Sequence, residues 1–348
     1  MRHSKVAVTG AMIASVAVAL AGCGANAEGE GDAESLLIYT ARAEPISDYV
    51  VEQFEEAYPQ YKGKVEVLTM GAAEIPERVR AEQANPQASL WWGGTQQALS
   101  LGAEDGLLEA WDDASFADDL EPMFRDADNR WFAEYQLPQV IVYNNEVLDA
   151  SSAPQDWEDL IDPAWRDKIV IRDVAASGGM RSIWDAMILR HSPDGSDPQP
   201  GYDYLAALDA NTVNYAADPS DLYLQLSRQS GVVSLWNLQD TLIQIEQNNM
   251  PFDFLLPASG TPVLVDGLGM IADGPNTEGA KLFAEFLYDS ELRTTLAEEY
   301  FQIPVTEIAS QPSWLAELDI VPLDVDWAIA AENEAAWVDY WLNNIKNK

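Results

Sequence analysis

Leu36-Leu-Ile-Tyr-Thr40 is a short apolar run, and Lys64-Val-Glu-Val-Leu-Thr69 and Ala88-Ser-Leu-Trp-Trp92 read as a second and a third strand, each followed by a stretch of different spacing. The first run is typical of a buried parallel strand. Between the first two, Ile46, Tyr49, Val50, Phe54 and Tyr58 share one face at helical spacing, and Pro45 suits a first turn, so 45–58 reads as a helix. Glu74 to Ala84 reads as a second helix, and Gln96 to Leu101 starts a third after Gly93-Gly94. This βαβαβα rhythm predicts an α/β fold, an open sheet with helices on its faces.

Ligands of such sheets bind beyond the carboxyl ends of the strands. The loops there are Ala41-Arg42-Ala43-Glu44, Met70-Gly71-Ala72-Ala73-Glu74 and Gly93-Gly94-Thr95. Each carries small residues beside a helix start, where backbone N–H groups approach a ligand closely. One such loop is ordinary turn chemistry; three in a row point to a cleft.

Further along, Gln139 to Asn144 predicts a strand after a proline. Trp157 to Ile171 predicts a short helix, a turn and another strand. A second α/β unit runs through the strand Gly231 to Trp236, and Thr261 to Ile271 returns to strand. Residues 276–288 and 289–299 read as helices, and Trp314 to Lys348 as mostly amphipathic helix.

The N-terminus fixes the expected compartment. Arg2 and Lys5 precede a mostly apolar run, Val6 to Leu20, which ends in Leu20-Ala21-Gly22-Cys23. The run is 15 residues, short of the roughly 20 that span a bilayer, so residues 1–22 read as an export signal. The Leu-Ala-Gly-Cys stretch matches the lipobox of bacterial lipoproteins, and Cys23, the sole cysteine, stands where diacylation needs it. Residues 23–35 are small and acidic and predict a flexible tether. The expected localisation is extracytoplasmic, lipid-anchored to the outer face of the cell membrane.

Composition excludes several functions. With 58 Asp plus Glu against 19 Lys plus Arg, the 348-residue chain carries a formal charge of -39. It lacks the basic footprint of a nucleic-acid binder. One cysteine rules out an internal disulfide framework, and two histidines, His3 and His191, rule out a multi-His metal cage. His191 opens the polar run His191-Ser-Pro-Asp-Gly and reads as part of a surface turn. No Gly-x-Ser-x-Gly elbow and no nucleotide-binding Gly-x-x-x-x-Gly-Lys-Ser/Thr motif is present. These features argue against an enzyme, and no cofactor or metal is expected.

The chain resembles the extracellular solute-binding proteins (family 1) of ABC importers, in their ferric-iron and hexose-phosphate-binding branch. The resemblance rests on 37–42 (Leu-Ile-Tyr-Thr-Ala-Arg), on Gly71, Glu74, Arg78 and the following Ala81-Glu82, on Asn85-Pro86-Gln87-Ala88, and on Trp92-Gly93-Gly94. It continues with Asp156-Trp157, Asp162-Pro163, Trp165, Lys168-Ile169, Ala176-Ser177-Gly178, Val265-Asp266-Gly267 and Pro275-Asn276. It implies a two-lobed type II periplasmic-binding-protein fold, each lobe a mixed sheet flanked by helices, with a ligand cleft between lobes. By that likeness lobe one holds 36–137 and about 262–310, lobe two holds 138–261, and 311–348 form C-terminal helices bracing the lobes. The implied partners are a small-molecule ligand and an ABC permease with a cytoplasmic ATPase. The receptor is expected to be a monomer, held to the membrane through the lipid on Cys23.

Ser177-Gly178-Gly179-Met180-Arg181 follows a strand and opens a helix of about a dozen residues. A helix N-terminus offers unpaired N–H groups and partial positive charge. Ser177 caps it, the glycines allow close approach and Arg181 adds a charge, which together read as an oxyanion cradle. The same residues also suit a plain Ser N-cap with a surface Arg. In the resembled family the matching segment binds phosphate or another anion, and Thr40, Arg42 and Glu74 would face it from lobe one, with Gly94, Thr95 and Asp266 nearby.

Ferric binders of this type present adjacent tyrosines where this chain reads Ser234-Leu-Trp236-Asn237-Leu-Gln239. The pair is absent, and Arg42 would repel Fe(III), which disfavours iron. Asn237 and Gln239 suit hydroxyl or amide ligands. Trp236 suits either stacking on a sugar or aminoalkyl group or the core. Glu74 beside an anion hints at a zwitterion such as an aminophosphonate, or at a polyol phosphate. The alternatives are a ferric-iron or polyamine receptor of the same fold and, further off, a secreted hydrolase.

Overall fold

The computed structural model describes residues 34–346. The export signal, Cys23 and nearly all of the acidic tether lie outside them. The strands are β1 (Leu36–Thr40), β2 (Val65–Thr69), β3 (Leu90–Thr95), β4 (Phe132–Asn144), β5 (Ile169–Arg172), β6 (Thr212–Ala216), β7 (Val233–Asn237), β8 (Phe252–Leu255), β9 (Val263–Met270) and β10 (Ile303–Pro304). The helices are α1 (Glu44–Ala57), α2 (Glu74–Glu82), α3 (Gln96–Glu104), α4 (Gly178–His191), α5 (Gln199–Asn211), α6 (Pro219–Ser227), α7 (Leu238–Glu246), α8 (Thr277–Leu287), α9 (Ser290–Tyr300), α10 (Ser313–Ala316) and α11 (Trp327–Asn344). None is long and apolar enough to cross a membrane.

The pairing path is β2-β1-β3-β9-β4-β7-β5-β6, with β8 and β10 also on β4. The β1–β2, β1–β3, β5–β6 and β5–β7 pairs are parallel, and β9 and β4 run antiparallel to their neighbours. The sheet is therefore mixed, with parallel βα units at both ends.

The strand expected from Gln139 begins seven residues earlier, at Phe132. Its first half pairs with β9 as far as Pro138–Val263, and its second half pairs with β7 and β8. Pro138 donates no ladder hydrogen bond, and it stands where the partner changes. β4 thus joins two hydrophobic cores. The first gathers α1, β1, β3, α8 and their neighbours around Phe54, Trp91, Trp92 and Phe283. The second gathers β5, α4, α5 and α11 around Trp157, Trp184, Met187 and Trp341.

Local chemistry explains the elements. In α1, Ile46, Val50 and Phe54 recur every four residues and are buried. In α4, Ser177 caps the first turn and buried residues surround the helix, so it is a central helix of the second core. Two expectations are corrected. His191 closes α4, inclined against Tyr204, and the turn begins after it. Residues 317–326 are not helical, because Thr261 exchanges backbone hydrogen bonds with Val321 and Leu323 on either side of Pro322, at 2.8 Å each.

Candidate ligand-binding cleft

A cleft with a cavity volume of about 350 Å³ lies where β1, β2, β3, β5 and β7 end. That is within the size range of small-molecule sites. The loops after β1 and β2 supply Ala41 to Ala43 and Met70 to Ala72, and Thr95 comes from the end of β3. From the second core come Arg172, 176–179, Trp236, Asn237 and Asp240. β4 and β9 contribute Tyr135 and Asp266 to its wall.

Arg42 is 4 % exposed and lies at the centre of a buried network. One terminal nitrogen is 2.6 Å from Glu134 and 2.9 Å from Asp266. The other donates to the Tyr135 hydroxyl, and the guanidinium carbon stacks over the Tyr135 ring at 4.4 Å. Trp92 Nε1 donates to Glu134 Oε2 at 2.7 Å, and Arg293 donates to the Glu134 carbonyl. Burial opposes the charge on Arg42, but Asp266 and Glu134 outweigh it and raise its pKa further. Burial also lifts the Asp266 carboxyl to about 6 against the pull of Arg42, and it raises the Tyr135 phenol well above its ordinary value. Gly93 holds the turn beneath: its φ is +98°, and a Cβ there would stand 3.2 Å from the Ala41 nitrogen.

Across the cleft, Arg172 ends β5. It is 8 % exposed and forms no ion pair; its NH1 donates to the Ala216 carbonyl at 3.2 Å. In the same cleft Ser177 Oγ accepts from Met180 N at 3.3 Å, and the Gly178 and Gly179 N–H groups open α4 without a backbone acceptor. On the facing helix, Asp240 Oδ2 accepts from Trp236 Nε1 at 3.0 Å, Tyr223 at 3.2 Å and Asn237 at 3.0 Å, while its Oδ1 accepts nothing.

The cleft therefore brings together Arg42, Thr95, Ser177, Gly178, Gly179, Trp236, Asn237 and Asp266. Four expected residues are elsewhere. Thr40 is fully buried, its Oγ1 taking the Arg42 N–H at 3.1 Å. Gly94 is packing: a Cβ would meet Trp91 Nε1 at 3.0 Å and Leu99 at 3.1 Å. Glu74 is exposed and lies over Gly71. Arg181 does not line the cleft either, because its guanidinium turns to Glu334 of α11, 3.4 Å away, and to the Ala175 carbonyl. Two retained residues have modified roles. Asn237 caps α7 through Asp240 N at 2.8 Å. Trp236 is buried, with its indole nitrogen engaged by Asp240 and Tyr223.

Sequence reasoning missed Arg172, Tyr135 and Asp240. Arg172 was findable as the last residue of the strand that feeds the Ser-Gly-Gly turn. Tyr135 was findable in the apolar–polar alternation Ala133-Glu-Tyr-Gln-Leu137, which a strand starting at Gln139 leaves out.

A two-lobed α/β body with its cleft at strand ends is the architecture of solute receptors. The profile of the bacterial extracellular solute-binding protein family matches residues 95–333, and the chain belongs to that family. It is 24 % identical over 318 residues to a probable ABC transporter periplasmic-binding protein of Sinorhizobium fredii, covering 90 % of this chain and 86 % of that one. It is 24 % identical over 278 residues to a putative 2-aminoethylphosphonate-binding periplasmic protein of Salmonella typhimurium, covering 78 % and 76 %. Among solved structures it is similar to the periplasmic binding protein AfuA from Actinobacillus pleuropneumoniae with fructose-6-phosphate bound, at TM-score 0.77, 25 % identity and 90 % and 99 % coverage. The ferric binding protein from Campylobacter jejuni shares the fold at TM-score 0.77, 21 % identity and 89 % and 99 % coverage.

Proposed function

We propose that this protein is a lipid-anchored extracellular receptor that captures a small anionic or zwitterionic solute, phosphorylated or phosphonate-like, by lobe closure and delivers it to an ABC permease. The observation that carries the reading is Arg172, a buried cation with no carboxylate within ion-pair distance, lining the same cleft as Gly178 and Gly179 at the start of α4. An oxyanion there meets a formal charge, a helix N-terminus and the Ser177 hydroxyl together. The free Oδ1 of Asp240 takes the part first given to Glu74, accepting from an ammonium or hydroxyl of the same ligand.

Ferric iron is disfavoured by the side chains. The cleft offers one phenol, Tyr135, already engaged by Arg42, and a buried cation on each side. A polyamine would meet Asp240 and Asp266, but Arg42 already pairs with Asp266.

The test is a thermal-shift and calorimetric screen of the mature chain against phosphate, 2-aminoethylphosphonate, a hexose 6-phosphate, ferric citrate and spermidine. A ligand at 100 times its Kd stabilises by about 2.7 kcal/mol. A shift with phosphorylated or phosphonate solutes supports the reading; a shift with spermidine or ferric citrate alone refutes it. Fatty-acid labelling that is lost in Cys23→Ala tests the anchor.

A further inference from the structure

Lys346, just past the end of α11, reaches back to the loop between β5 and α4. Its Nζ donates to Asp173 Oδ2 at 2.7 Å, and both side chains are partly buried. The ammonium also lies over the rings of Tyr215 and Trp341, 4.9 and 5.5 Å from their centres. The Lys346 backbone N–H donates to the Trp341 carbonyl at 2.9 Å. A carboxylate, two aromatic faces and the backbone together fix this cation in place.

Asp173 stands between Arg172 and the turn that carries the Ser-Gly-Gly segment. Its N–H donates at 2.8 Å to the Ala216 carbonyl, the same oxygen that accepts from Arg172 NH1. Its Oδ1 accepts from Ala176 N at 3.1 Å, which closes the turn leading to Ser177, the cap of α4. Arg172 and Ala176 line the cleft, one on each side of Asp173 in sequence, while Asp173 itself does not. Burial raises the Asp173 carboxyl, but Lys346, with the Ala176 N–H and Arg172, holds its pKa below the ordinary value, so it is ionised at neutral pH.

An ionised carboxylate at this place opposes a bound anion in two ways. It offsets the charge of Arg172, and it sets a negative charge just before the N-terminus of α4. One other acid acts on Arg172, Asp221 in the first turn of α6. That carboxylate accepts from Ala217 N at 3.0 Å and from Gln225 at 2.9 Å, and among the described residues no cation pairs with it. Asp173 is thus the acid beside Arg172 that a cation neutralises.

We infer that Lys346 is a positioning residue for anion capture: it neutralises Asp173 and holds the 173–176 turn, and so leaves the charge of Arg172 to the ligand. This rests on the anion reading of the cleft and adds to it a residue from outside the cleft. Lys346 touches no ligand and acts through Asp173.

The experiment titrates the mature chain calorimetrically with inorganic phosphate and with methylphosphonate. Lys346→Met keeps the stem that packs on Tyr215 and Trp341 and removes the charge; it should weaken both probes by about fivefold or more. Lys346→Arg should stay within about twofold of wild type, because it restores the cation. Lys346→Met combined with Asp173→Asn, which keeps an acceptor for Ala176 N and removes the charge, should return to within about twofold of wild type. A purely structural tie would stay broken in that double variant. Lys346→Met binding within twofold of wild type, or a double variant as weak as the single one, would overturn the inference and leave Lys346 as an anchor of α11 only. If Lys346→Met does not fold, Asp173→Asn decides alone: with Lys346 in place it should tighten both probes about twofold or more, and unchanged or weaker binding overturns the inference. Wild-type binding that depends on Arg172, with no effect at Lys346, defeats this inference and spares the cleft reading. No wild-type binding of either probe defeats both.

Discussion

Replacing Arg172 with alanine separates ligand binding from stability. In the free protein this guanidinium is 8 % exposed, and its one protein hydrogen bond goes to the Ala216 carbonyl. Losing that bond costs about 1 kcal/mol, and removing an unpaired buried cation returns some of it. The unliganded variant should therefore melt within about 3 °C of the wild type. Binding is a different matter. A charge-assisted hydrogen bond contributes about 1.5–3 kcal/mol, and two unit charges at about 4 Å with an effective dielectric of about 20 attract by about 4 kcal/mol, an upper limit. The α4 N–H groups and Ser177 remain, so the expected loss is about 2–3 kcal/mol, which is roughly 25- to 140-fold in Kd. The assay is calorimetric titration with inorganic phosphate or methylphosphonate at about 0.15 M salt, where the field of distant carboxylates is screened beyond about 8 Å. Arg181→Ala, which removes a cation already neutralised by Glu334, should stay within about threefold for these probes. The reasoning fails if a folded Arg172→Ala binds within threefold of wild type, or if Arg181→Ala loses more than Arg172→Ala.

Three further outcomes follow from the buried groups. Arg42→Met strands Glu134 and Asp266, which lie 2.6 and 2.9 Å from the guanidinium; urea unfolding should show a loss of about 3–5 kcal/mol, and a loss under about 1 kcal/mol would contradict the network. Asp185 on α4 is fully buried with both oxygens unpartnered, and burial, aided by Glu334, raises its pKa well above the ordinary value. A raised folded pKa means the native state holds the proton more tightly, so this stability is complete below about pH 4 and is lost as pH rises through the folded pKa; Asp185→Asn should match wild type at low pH and melt higher at pH 7–8, and a pH-independent difference would refute this. Gly267→Ala puts a Cβ 2.1 Å from the Phe132 carbonyl oxygen, where β9 meets β4; it should cost about 3 kcal/mol in the same unfolding assay, and a neutral effect would mean that the crossing is not tightly packed.

The βαβαβα half was legible because its signals are local. Apolar runs of five or six residues, helical spacing in 45–58 and small residues at strand ends need no knowledge of the rest of the chain. β4 was legible only in its second half. Its first half contains Glu134, a charge in the middle of a buried strand, followed by Pro138. Glu134 is tolerated because Arg42, Trp92 and Arg293 reach it from segments 92, 42 and 159 residues away. No local pattern announces such partners. The same holds at the cradle. Arg172 and Arg181 flank one Ser-Gly-Gly turn, and the sequence offers no way to rank them. The ranking is set by Glu334, 153 residues beyond Arg181, which turns that arginine from the cleft toward α11. Glu74 was misplaced for a simpler reason. As the first residue of α2 it is near the loop in sequence, but its exposed side chain folds back over Gly71.

A chain of formal charge -39 is a poor receptor for an anion on its net field alone, so the proposed reading rests on the groups inside the cleft. Screening reduces the distant field, so the groups within the cleft decide. There, each carboxylate is already engaged by the protein. Asp266 and Glu134 share Arg42. Asp240 receives three donors on one oxygen. Arg172 has no carboxylate within ion-pair distance, and its one hydrogen bond goes to the Ala216 carbonyl. Its charge, with the open N–H groups of α4, is what the proposed reading sets against the repulsion of the whole body. Pairing the acids inward costs stability, since buried ion pairs seldom outperform apolar packing. Under the proposed reading, fixed hydrogen bonds hold these carboxylates in place and leave Arg172 for the ligand, an arrangement preorganised before binding.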